Sequence, residues 1–486
     1  MANDLTGPVR VRFAPSPTGF LHVGGVRTAI YNELLRLHCG GVFVLRIEDT
    51  DKARSDEAMT RQIQDALSWT GIRWDEGPFL QSERLPRHAE RAAELLAADK
   101  AYRCFCTSEE LEAQRAEAQK QGGSFRYPRT CAHLPAEEIA RRMEAGQTFV
   151  VRFRAPDANI QFLDLVRGDM EFPPESIDDF ILLRSDGSPT YHMSVVCDDI
   201  DMSITHVIRG EDHLSNTPKH VPLFQAFGSA VPTFAHLPLI LGPDKKRLSK
   251  RFGATSVEEF RAEGVLPQAL YNYMSLLGWS PGEEREILSR EEMGRIFDVD
   301  RLNASAAVFD REKLLWMNGQ YLTSLPLGEI RPHLDPFLVE AGLTGADPAR
   351  LATVLELHKS RARTLRELVQ SVIPYFRDEI PYEADLTKKF LADPDLPVHL
   401  AALRDRFAEV EFDKDALEAA LRAVAEERGI KPSVLIHPTR TALSGANGGP
   451  PLFDLVAAMG KEETSRHLGH FIAYLRRGGA LPEPQD

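Results

Sequence analysis

The chain has 486 residues, of which 43% are apolar and 27% are charged, and its formal net charge is −14. These proportions are typical of a globular protein, and the length predicts roughly three or more domains. No apolar run approaches the ~20 residues of a membrane-spanning helix, and the first residues lack the features of a secretory signal. The acidic charge argues against indiscriminate nucleic-acid binding, and five cysteines without a signal indicate the reducing cytoplasm.

The first predicted element is a strand that leads through a loop into a helix. Residues 9–13 alternate apolar and charged side chains, and the run Pro15-Ser16-Pro17-Thr18-Gly19 ends the strand. After Gly25 the apolar residues recur with helical spacing. A helix start offers free N–H groups to a phosphate, Gly24-Gly25 permits close approach, and His22 can donate to a phosphate oxygen. A turn of an ordinary α/β domain would fit the same local pattern.

The next apolar run, residues 41–47, predicts a buried parallel strand. Glu48, Asp49 and Asp51 follow at its carboxyl end, where ligands bind in such sheets. Helix capping is the alternative interpretation of these acids. Amphipathic helices are predicted over residues 55–69 and 83–99.

Four potential metal ligands follow these helices. Cys104 and Cys106 are followed by 24 residues and then by Cys131 and His133. Two pairs with sulfur and nitrogen donors match the chemistry of a tetrahedral structural zinc site. In the alternative interpretation, the two cysteines face one way on a strand and the histidine lies in a surface loop.

Further strands and a cationic loop are predicted beyond residue 190. Val195-Val196 and residues 204–208 indicate buried strands, and Thr217-Pro218 indicates an N-cap followed by the first helical residue. A loop then carries five basic residues around Ser249, namely Lys245, Lys246, Arg247, Lys250 and Arg251. Phosphoryl chemistry requires such cations over the phosphates in the transition state. A solvated basic loop or a general nucleic-acid patch is the alternative.

Five separated motifs together resemble one enzyme family. His22-Val23-Gly24-Gly25 resembles the "HIGH" signature of class I aminoacyl-tRNA synthetases, and Arg247-Leu248-Ser249-Lys250-Arg251 resembles their "KMSKS" signature. The strings that begin at Arg12, Arg46 and Arg209 are similar to segments of bacterial glutamyl-tRNA synthetases. Glycine replaces the final histidine of "HIGH", as it commonly does in glutamyl enzymes. The resemblance runs from about residue 9 to about residue 475.

The resemblance implies roles for individual residues. The catalytic residues would be His22 and Lys250. ATP binding is implied for Pro15, Gly19, His22, Gly24, Gly25, Lys246, Ser249 and Lys250. Glutamate binding is implied for Arg12, Ser16, Glu48, Tyr191 and Arg209. Glu48 would meet the substrate ammonium group, and the arginines suit its side-chain carboxylate because a planar guanidinium can donate two hydrogen bonds.

The resemblance also implies a multidomain α/β architecture. A Rossmann-type, doubly wound catalytic domain would be interrupted by an inserted α+β domain and followed by all-α domains. The expected parts are 1–100 (catalytic, first half), 101–190 (acceptor-stem binding, with zinc), 191–253 (catalytic, second half), 254–328 (helical stem contact) and 329–486 (two helical anticodon-binding modules).

The implied activity is ligation of L-glutamate to the 3′ end of tRNA(Glu) through a glutamyl-adenylate, with release of AMP and pyrophosphate. ATP would bind with Mg²⁺, and one structural Zn²⁺ would bind to Cys104, Cys106, Cys131 and His133. A monomer without membrane contacts is expected. A glutaminyl-tRNA synthetase is disfavoured because its anticodon domains are β-barrels, and a small-molecule adenylyltransferase because its chain is far shorter. A non-catalytic tRNA-binding relative is disfavoured because His22 and Lys250 are intact.

Selection between tRNA(Glu) and tRNA(Gln) is assigned to the helical last third of the chain, because the two differ at the third anticodon base. Arg361 and Arg363 are candidate readers at the start of a predicted helix, Lys359 to Leu365. Arginine can both stack on a base and donate paired hydrogen bonds. Residues two apart point to different faces of a helix, so at most one should reach the base. Contacts to phosphates or solvent alone are the alternative, as is a non-discriminating enzyme.

Overall fold

The structure is a computed structural model that describes residues 8–51, 56–122, 125–248, 251, 253–282 and 284–479. The chain divides into two compact units. The first unit combines Met1–Phe260 with Leu270–Asp310, and the second combines Arg261–Ala269 with Arg311–Asp486. No helix within the described ranges combines the length and apolar character that crossing a membrane requires.

Every strand among the described residues lies in the first unit. In chain order they are β1 (Arg10–Phe13), β2 (Val42–Ile47), β3 (Glu76–Leu80), β4 (Ala101–Cys104), β5 (Val150–Phe153), β6 (Ile160–Asp164), β7 (Gly168–Phe172), β8 (Ile181–Leu183), β9 (His206–Gly210), β10 (Thr233–Leu237), β11 (Ile240–Leu241) and β12 (Ala307–Val308).

The largest sheet has seven strands among the described residues, in the order β3-β2-β1-β9-β10-β6-β7. Its strands run parallel except for the hairpin of β6 and β7. The interior of β2 is buried from Phe43 to Ile47, as expected for a parallel strand covered on both faces. The hairpin at the sheet edge comes from the region predicted as an insertion, so that region extends the central sheet.

The rest of the predicted insertion contains its own small sheet. Within the described part of the chain, β4, β5 and β8 form three antiparallel strands. The central strand of this sheet, β5, is buried from Val151 to Phe153. Cys104 ends β4, which places the first predicted metal ligand at the edge of this sheet.

Helices cover and connect these strands. Up to residue 310 they are α1 (Val23–Cys39), α2 (Glu57–Thr70), α3 (Leu85–Ala97), α4 (Ser108–Lys120), α5 (Ala136–Glu144), α6 (Tyr191–Asp201), α7 (Thr217–Ala226), α8 (Val257–Glu263), α9 (Pro267–Leu276) and α10 (Arg290–Ile296). Helix α1 ends at Cys39, and the left-handed φ of 63° at Gly40 lets the N–H of Gly41 reach the Arg36 carbonyl at 2.9 Å. This cap turns the chain directly into β2.

Two predictions about residues 191–253 are wrong. Val195 and Val196 were predicted as a strand but lie in α6, because a short apolar run does not distinguish a strand from a helix buried on several sides. Thr217 was predicted as an N-cap but is the first residue of α7, preceded by Asn216. Its hydroxyl instead accepts a hydrogen bond from Arg209 at 2.8 Å.

The second unit is helical. From residue 311 onward the helices are α11 (Arg311–Ser324), α12 (Leu327–Glu340), α13 (Pro348–His358), α14 (Leu365–Val372), α15 (Ala384–Leu391), α16 (Leu396–Glu409), α17 (Lys414–Glu427), α18 (Ser433–Ser444), α19 (Leu452–Met459) and α20 (Lys461–Arg476). Buried leucines on facing helices, such as Leu400 and Leu421, form its core. A parallel α/β core followed by helices confirms the predicted fold class.

Candidate active site and metal centre

A cavity of about 580 Å³ opens at the carboxyl ends of β1, β2 and β9, where parallel sheets bind ligands. It lies within the first unit. Its lining includes ten of the residues predicted to bind ATP or glutamate: Arg12, Pro15, Ser16, Gly19, His22, Gly24, Gly25, Glu48, Tyr191 and Arg209. Residues from four separate segments therefore meet around one space.

His22 caps helix α1 with its own side chain. Its Nδ1 accepts hydrogen bonds from the N–H groups of Gly24 (3.1 Å) and Gly25 (3.4 Å). An accepting Nδ1 leaves the proton of the neutral ring on Nε2. Burial, with help from Arg247, lowers the pKa of His22, which favours this neutral form. The helix begins at Val23, earlier than the sequence pattern indicated, because the imidazole satisfies its first N–H groups.

The paired glycines are required by close packing at this cap. A Cβ atom on Gly24 would lie 2.9 Å from His22 Cε1, and one on Gly25 would lie 2.8 Å from Leu21 Cδ1. Either side chain would displace the imidazole or the leucine that lines the cavity. The glycines thus preserve the capping geometry as well as access to the backbone.

A buried carboxylate holds Arg12 at the cavity wall. Asp199, on α6, accepts from Arg12 Nε at 3.3 Å and from Arg46 Nη1 at 2.7 Å. The side chains of Asp199 and Arg46 are 2% and 0% exposed, so water contributes little to their solvation. Asp199 is therefore shared by two arginines and fixes Arg12 where it lines the cavity.

Glu48 supplies the negative charge in the same cavity. Its Oε1 lies 3.5 Å from Arg46 Nη2. Burial raises the pKa of the Glu48 carboxyl, although Arg46 and Arg12 oppose the shift. The neighbouring Asp49 does act as a cap, because it accepts from the N–H and hydroxyl groups of Ser82 at 2.7 and 2.6 Å. The helix that follows β2, α2, is capped by Asp56, so neither Glu48 nor Asp49 is its N-cap.

Arg209 enters the cavity from the end of β9. Its Nη1 contacts the Tyr191 hydroxyl at 3.5 Å, and its Nη2 donates to Thr217 Oγ1 at 2.8 Å. Burial raises the pKa of Tyr191 to about 12, so the phenol remains a neutral hydrogen-bond donor at physiological pH. The hydroxyl also lies 2.9 Å from His213 Nδ1. Two guanidinium groups and a phenol can together bind one carboxylate.

The described part of the cationic loop reaches the cavity through Arg247, which lines its wall. Lys246 is exposed, and its backbone N–H donates to Asp244 Oδ1 at 3.2 Å. Ser249 and Lys250, both predicted to bind ATP, lie outside the described residues.

Three thiols converge in the predicted insertion, within the part of the chain that the structure describes. The sulfur atoms of Cys104, Cys106 and Cys131 all lie within 4.8 Å of one another. Cys106 Sγ is 3.7 Å from Cys131 Sγ, which is far longer than a disulfide bond of about 2.05 Å. A tetrahedral zinc site with Zn–S bonds of about 2.3 Å has sulfur–sulfur edges of about 3.7 Å. The spacing fits such a site.

Tyr127, rather than His133, lies beside the thiols. The Tyr127 oxygen lies 3.2 Å from Cys104 Sγ and 3.6 Å from Cys106 Sγ. His133 is exposed and is not part of the thiol group. The structure therefore does not bring the predicted fourth ligand to the other three. Burial raises the pKa of Cys104, but hydrogen bonds from Tyr127 and Arg152 outweigh burial, so its pKa is lowered and a thiolate is favoured.

The two candidate anticodon readers differ in their surroundings. They do not open a helix as predicted: Arg361 ends a 3₁₀ turn, and α14 begins only at Leu365. Arg363 Nη1 donates to Glu312 at 2.9 Å. Arg361 is exposed. The pKa of Arg440 is lowered mainly by burial, and the nearby positive charge of Arg361 lowers it further. Two neighbouring guanidinium groups favour an anionic ligand at this point.

Sequence reasoning missed Asp199, Arg46 as its partner, and Tyr127. Arg46 did carry a signal, because it is a charged residue within an otherwise apolar buried strand. Asp199 and Tyr127 carried no comparable signal. Their roles depend on residues more than twenty positions away, such as Arg12 and Cys104.

Comparisons with known families agree with this arrangement. A model described as the catalytic domain of class I tRNA synthetases (E and Q) matches residues 8–316. A model described as an anticodon binding domain matches residues 329–472. The parallel sheet, the histidine-capped helix and the helical second unit are thus those of a class I tRNA synthetase.

Relatives of similar length identify the family within this class. The chain is 46% identical to a glutamate–tRNA ligase of Geobacter sulfurreducens, covering 96% of this chain and 99% of the relative. It is 44% identical to one of Koribacter versatilis, covering 96% and 98%. A crystal structure of a glutamate tRNA ligase from Elizabethkingia meningosepticum in complex with its amino acid superposes with a TM-score of 0.87 at 35% identity, covering 96% and 100%. The chain belongs to the glutamate–tRNA ligase family.

Proposed function

We propose that this protein attaches L-glutamate to tRNA(Glu) in two steps. The observation that carries the proposal is the meeting of Arg12, Arg209 and Glu48 in one cavity beside the helix start capped by His22. The two arginines match the side-chain carboxylate of glutamate, and Glu48 matches its α-ammonium group. The helix start beside them matches the phosphates of ATP.

The first step forms the adenylate. The α-carboxylate oxygen of glutamate attacks the α-phosphorus of ATP, the bond to the bridging oxygen breaks, and pyrophosphate leaves. ATP carries Mg²⁺, which neutralises phosphate charge. His22 donates from Nε2 to a phosphate oxygen, and Lys250 stabilises the charge that develops on the α-phosphate.

In the second step a terminal ribose hydroxyl of tRNA attacks the carbonyl carbon of the adenylate. The new ester bond forms as the carbonyl–phosphate bond breaks, and AMP leaves. The protein contributes positioning and charge stabilisation rather than a covalent nucleophile. The inserted region, residues 101–190, is proposed to hold the acceptor end, and residues 329–486 the anticodon.

Aminoacylation of purified tRNA tests the proposal directly. Radiolabelled glutamate, but not glutamine, should be esterified to tRNA(Glu) in the presence of Mg·ATP. Charging with glutamine would instead identify a glutaminyl enzyme. No charging with either amino acid would refute the proposal.

Glu48 predicts a specific pH dependence. Only the ionised carboxylate can pair with the substrate ammonium, and burial raises its pKa above that of an exposed glutamate. Protonation on acidification therefore removes the charge at a higher pH than usual, so KM for glutamate should rise as the pH falls below neutral. Kinetics across this range should show a smaller rise in KM for ATP. A Glu48→Gln variant should have a high KM for glutamate that no longer changes with pH, and an unchanged profile would contradict the role.

The thiol cluster is proposed to bind one structural Zn²⁺ through Cys104, Cys106, Cys131 and Tyr127. Thiolate sulfur is a preferred zinc ligand, and the Tyr127 oxygen, within 3.6 Å of two of the sulfur atoms, is the proposed fourth ligand. The ligands come from both ends of a segment of the insertion, so bound zinc would close that segment and stabilise the acceptor-binding region.

Metal analysis distinguishes the two candidates for the fourth ligand. Chelator-washed wild-type protein should retain about one zinc per chain, and Cys131→Ser should lose it. Tyr127→Phe should release zinc to a chelator more readily than wild type, whereas His133→Ala should not. The reverse order would restore the histidine assignment. Metal-free, fully folded wild-type protein would mean that the cysteines are only packed together.

Arg361 is the stronger candidate for reading the third anticodon base, because the Arg363 side chain is paired with Glu312. Wild type should charge tRNA(Glu) in preference to tRNA(Gln). Arg361→Gln should reduce that preference by about 10-fold, as expected for loss of paired hydrogen bonds to one base. Arg363→Gln is the matched control and should keep the preference. Equal charging of both tRNAs by wild type would make the enzyme non-discriminating.

A further inference from the structure

The guanidinium of Arg209 is held from the side opposite the cavity by a buried chain of polar groups. Arg209 Nε donates to His236 Nε2 at 3.1 Å, and His236 Nδ1 lies 2.5 Å from Asp164 Oδ2. Thr217 Oγ1 bridges the first pair, at 2.8 Å from Arg209 Nη2 and 3.0 Å from His236 Nε2. Asp164 and His236 are both 0% exposed.

The chemistry of these atoms fixes where the protons are. Hydrogen bonds from His236 and from backbone N–H groups outweigh burial and lower the pKa of Asp164, so its carboxylate can only accept. His236 Nδ1 must therefore carry a proton. Arg209 Nε is always a donor, so His236 Nε2 must be the acceptor. Burial lowers the pKa of His236, which agrees with a neutral ring protonated on Nδ1 alone.

These hydrogen bonds connect two strands that are far apart in the sequence. Asp164 is the last residue of β6, in the predicted insertion, and His236 lies in β10. The two strands are parallel neighbours, with Phe234 opposite Asp164. Asp164 also accepts from the His236 backbone N–H at 3.2 Å. The insertion thus supplies the outermost support for a residue of the glutamate pocket.

We infer that Asp164 and His236 are positioning residues for Arg209, which set the orientation in which its guanidinium meets the side-chain carboxylate of glutamate. The inference rests on the proposed function. Because Nε and Nη2 are held by fixed acceptors, the Nη1 edge beside Tyr191 is directed toward the cavity. A guanidinium fixed in this way cannot turn to satisfy itself elsewhere, so a neutral amide in place of the carboxylate leaves it poorly paired. The hydrogen bonds from Asp164 through His236 to Arg209 therefore favour glutamate over glutamine as the substrate.

A pair of substitutions at one position tests the inference. His236→Phe keeps a ring of similar size but removes the acceptor, and should raise KM for glutamate about 10- to 100-fold with little change in KM for ATP. His236→Gln can place its amide oxygen where Nε2 lies and should recover most of the loss. The inference is overturned if His236→Gln has no lower KM for glutamate than His236→Phe. Equal changes in KM for glutamate and for ATP would also overturn it.

Two further variants sharpen the test. In Asp164→Asn, the amide can donate a hydrogen bond to His236 Nδ1, so the ring proton moves to Nε2 and opposes the Arg209 donor. The loss of glutamate affinity should equal that of His236→Phe. The double variant Arg209→Lys with His236→Phe should be hardly worse than Arg209→Lys alone, because His236 acts through Arg209. Additive losses would overturn the inference.

His206→Phe is the matched control, because His206 is a partly buried histidine at the opposite end of β9, 2.8 Å from Thr205 Oγ1. It should leave KM for glutamate unchanged, and a rise equal to that of His236→Phe would show only a general effect of removing histidines from this sheet. The proposed function fails if wild type charges no tRNA with glutamate. The inference alone fails if wild type charges normally and His236→Phe retains the wild-type KM.

Discussion

Replacement of Arg12 by glutamine should lower kcat/KM for glutamate by about 10²–10³-fold. The substitution removes one of two buried guanidinium groups that line the cavity and are proposed to face the side-chain carboxylate of glutamate. An anion bound there without its full set of charged donors loses most of the advantage over solution in water. Asp199 keeps its 2.7 Å hydrogen bond to Arg46, so the protein should remain folded. Steady-state aminoacylation with varied glutamate measures the effect.

Arg10→Gln provides the matched control on the same strand. Arg10 donates to both oxygens of Glu76, at 3.0 and 2.9 Å, and does not line the cavity. Its loss should leave KM for glutamate close to the wild-type value. If Arg12→Gln and Arg10→Gln have the same KM, Arg12 does not bind the substrate carboxylate.

Lys250→Ala should lower the rate of adenylate formation by about 10²–10³-fold, comparable to the loss of one preorganised donor in other enzymes. The lysine lies outside the described residues, and its role is inferred from the resemblance of Arg247-Leu248-Ser249-Lys250-Arg251 to a synthetase signature. Arg247, three residues before Lys250, lines the cavity, which is where a cation over the phosphates would be needed. Single-turnover kinetics with ATP, glutamate and tRNA measure the step.

Lys245→Asn is a suitable control for this loop. Lys245 is exposed and has a φ of 58°, a left-handed conformation that asparagine tolerates better than most residues. It should retain the wild-type rate of adenylate formation, whereas Lys250→Ala should not. Near wild-type turnover in Lys250→Ala would exclude the assigned role.

The elements at the proposed ATP site were predictable because their sequence signals are local. The alternation in residues 9–13, the proline-rich loop and the glycine pair each report on neighbouring residues, and the structure places a strand, a loop and a capped helix there. Helices α2 and α3 were predictable for the same reason, since their apolar spacing follows a helical period.

The sequence pattern was insufficient where a residue's environment is made by distant parts of the chain. Val195-Val196 is apolar enough for a buried strand, yet α3 and α7 pack around it and bury a helix instead. His133 lies at the spacing of a zinc ligand, but the chain directs Tyr127 to the thiols. In both cases the short pattern permits two structures, and packing selects one.

The sequence by itself determined the enzyme family, the order of its signature motifs, and ten of the residues that line the cavity. Those features depend on residue type and local spacing, which a linear sequence contains. Only the tertiary structure decided that Asp199 is shared by Arg12 and Arg46, that Tyr127 lies at the thiols, and that Asp164 supports Arg209 through His236. Each of these contacts joins strands or helices far apart in sequence. Their hydrogen bonds form because burial in the folded core leaves these polar groups no water to bind, and the partner available there is set by the fold.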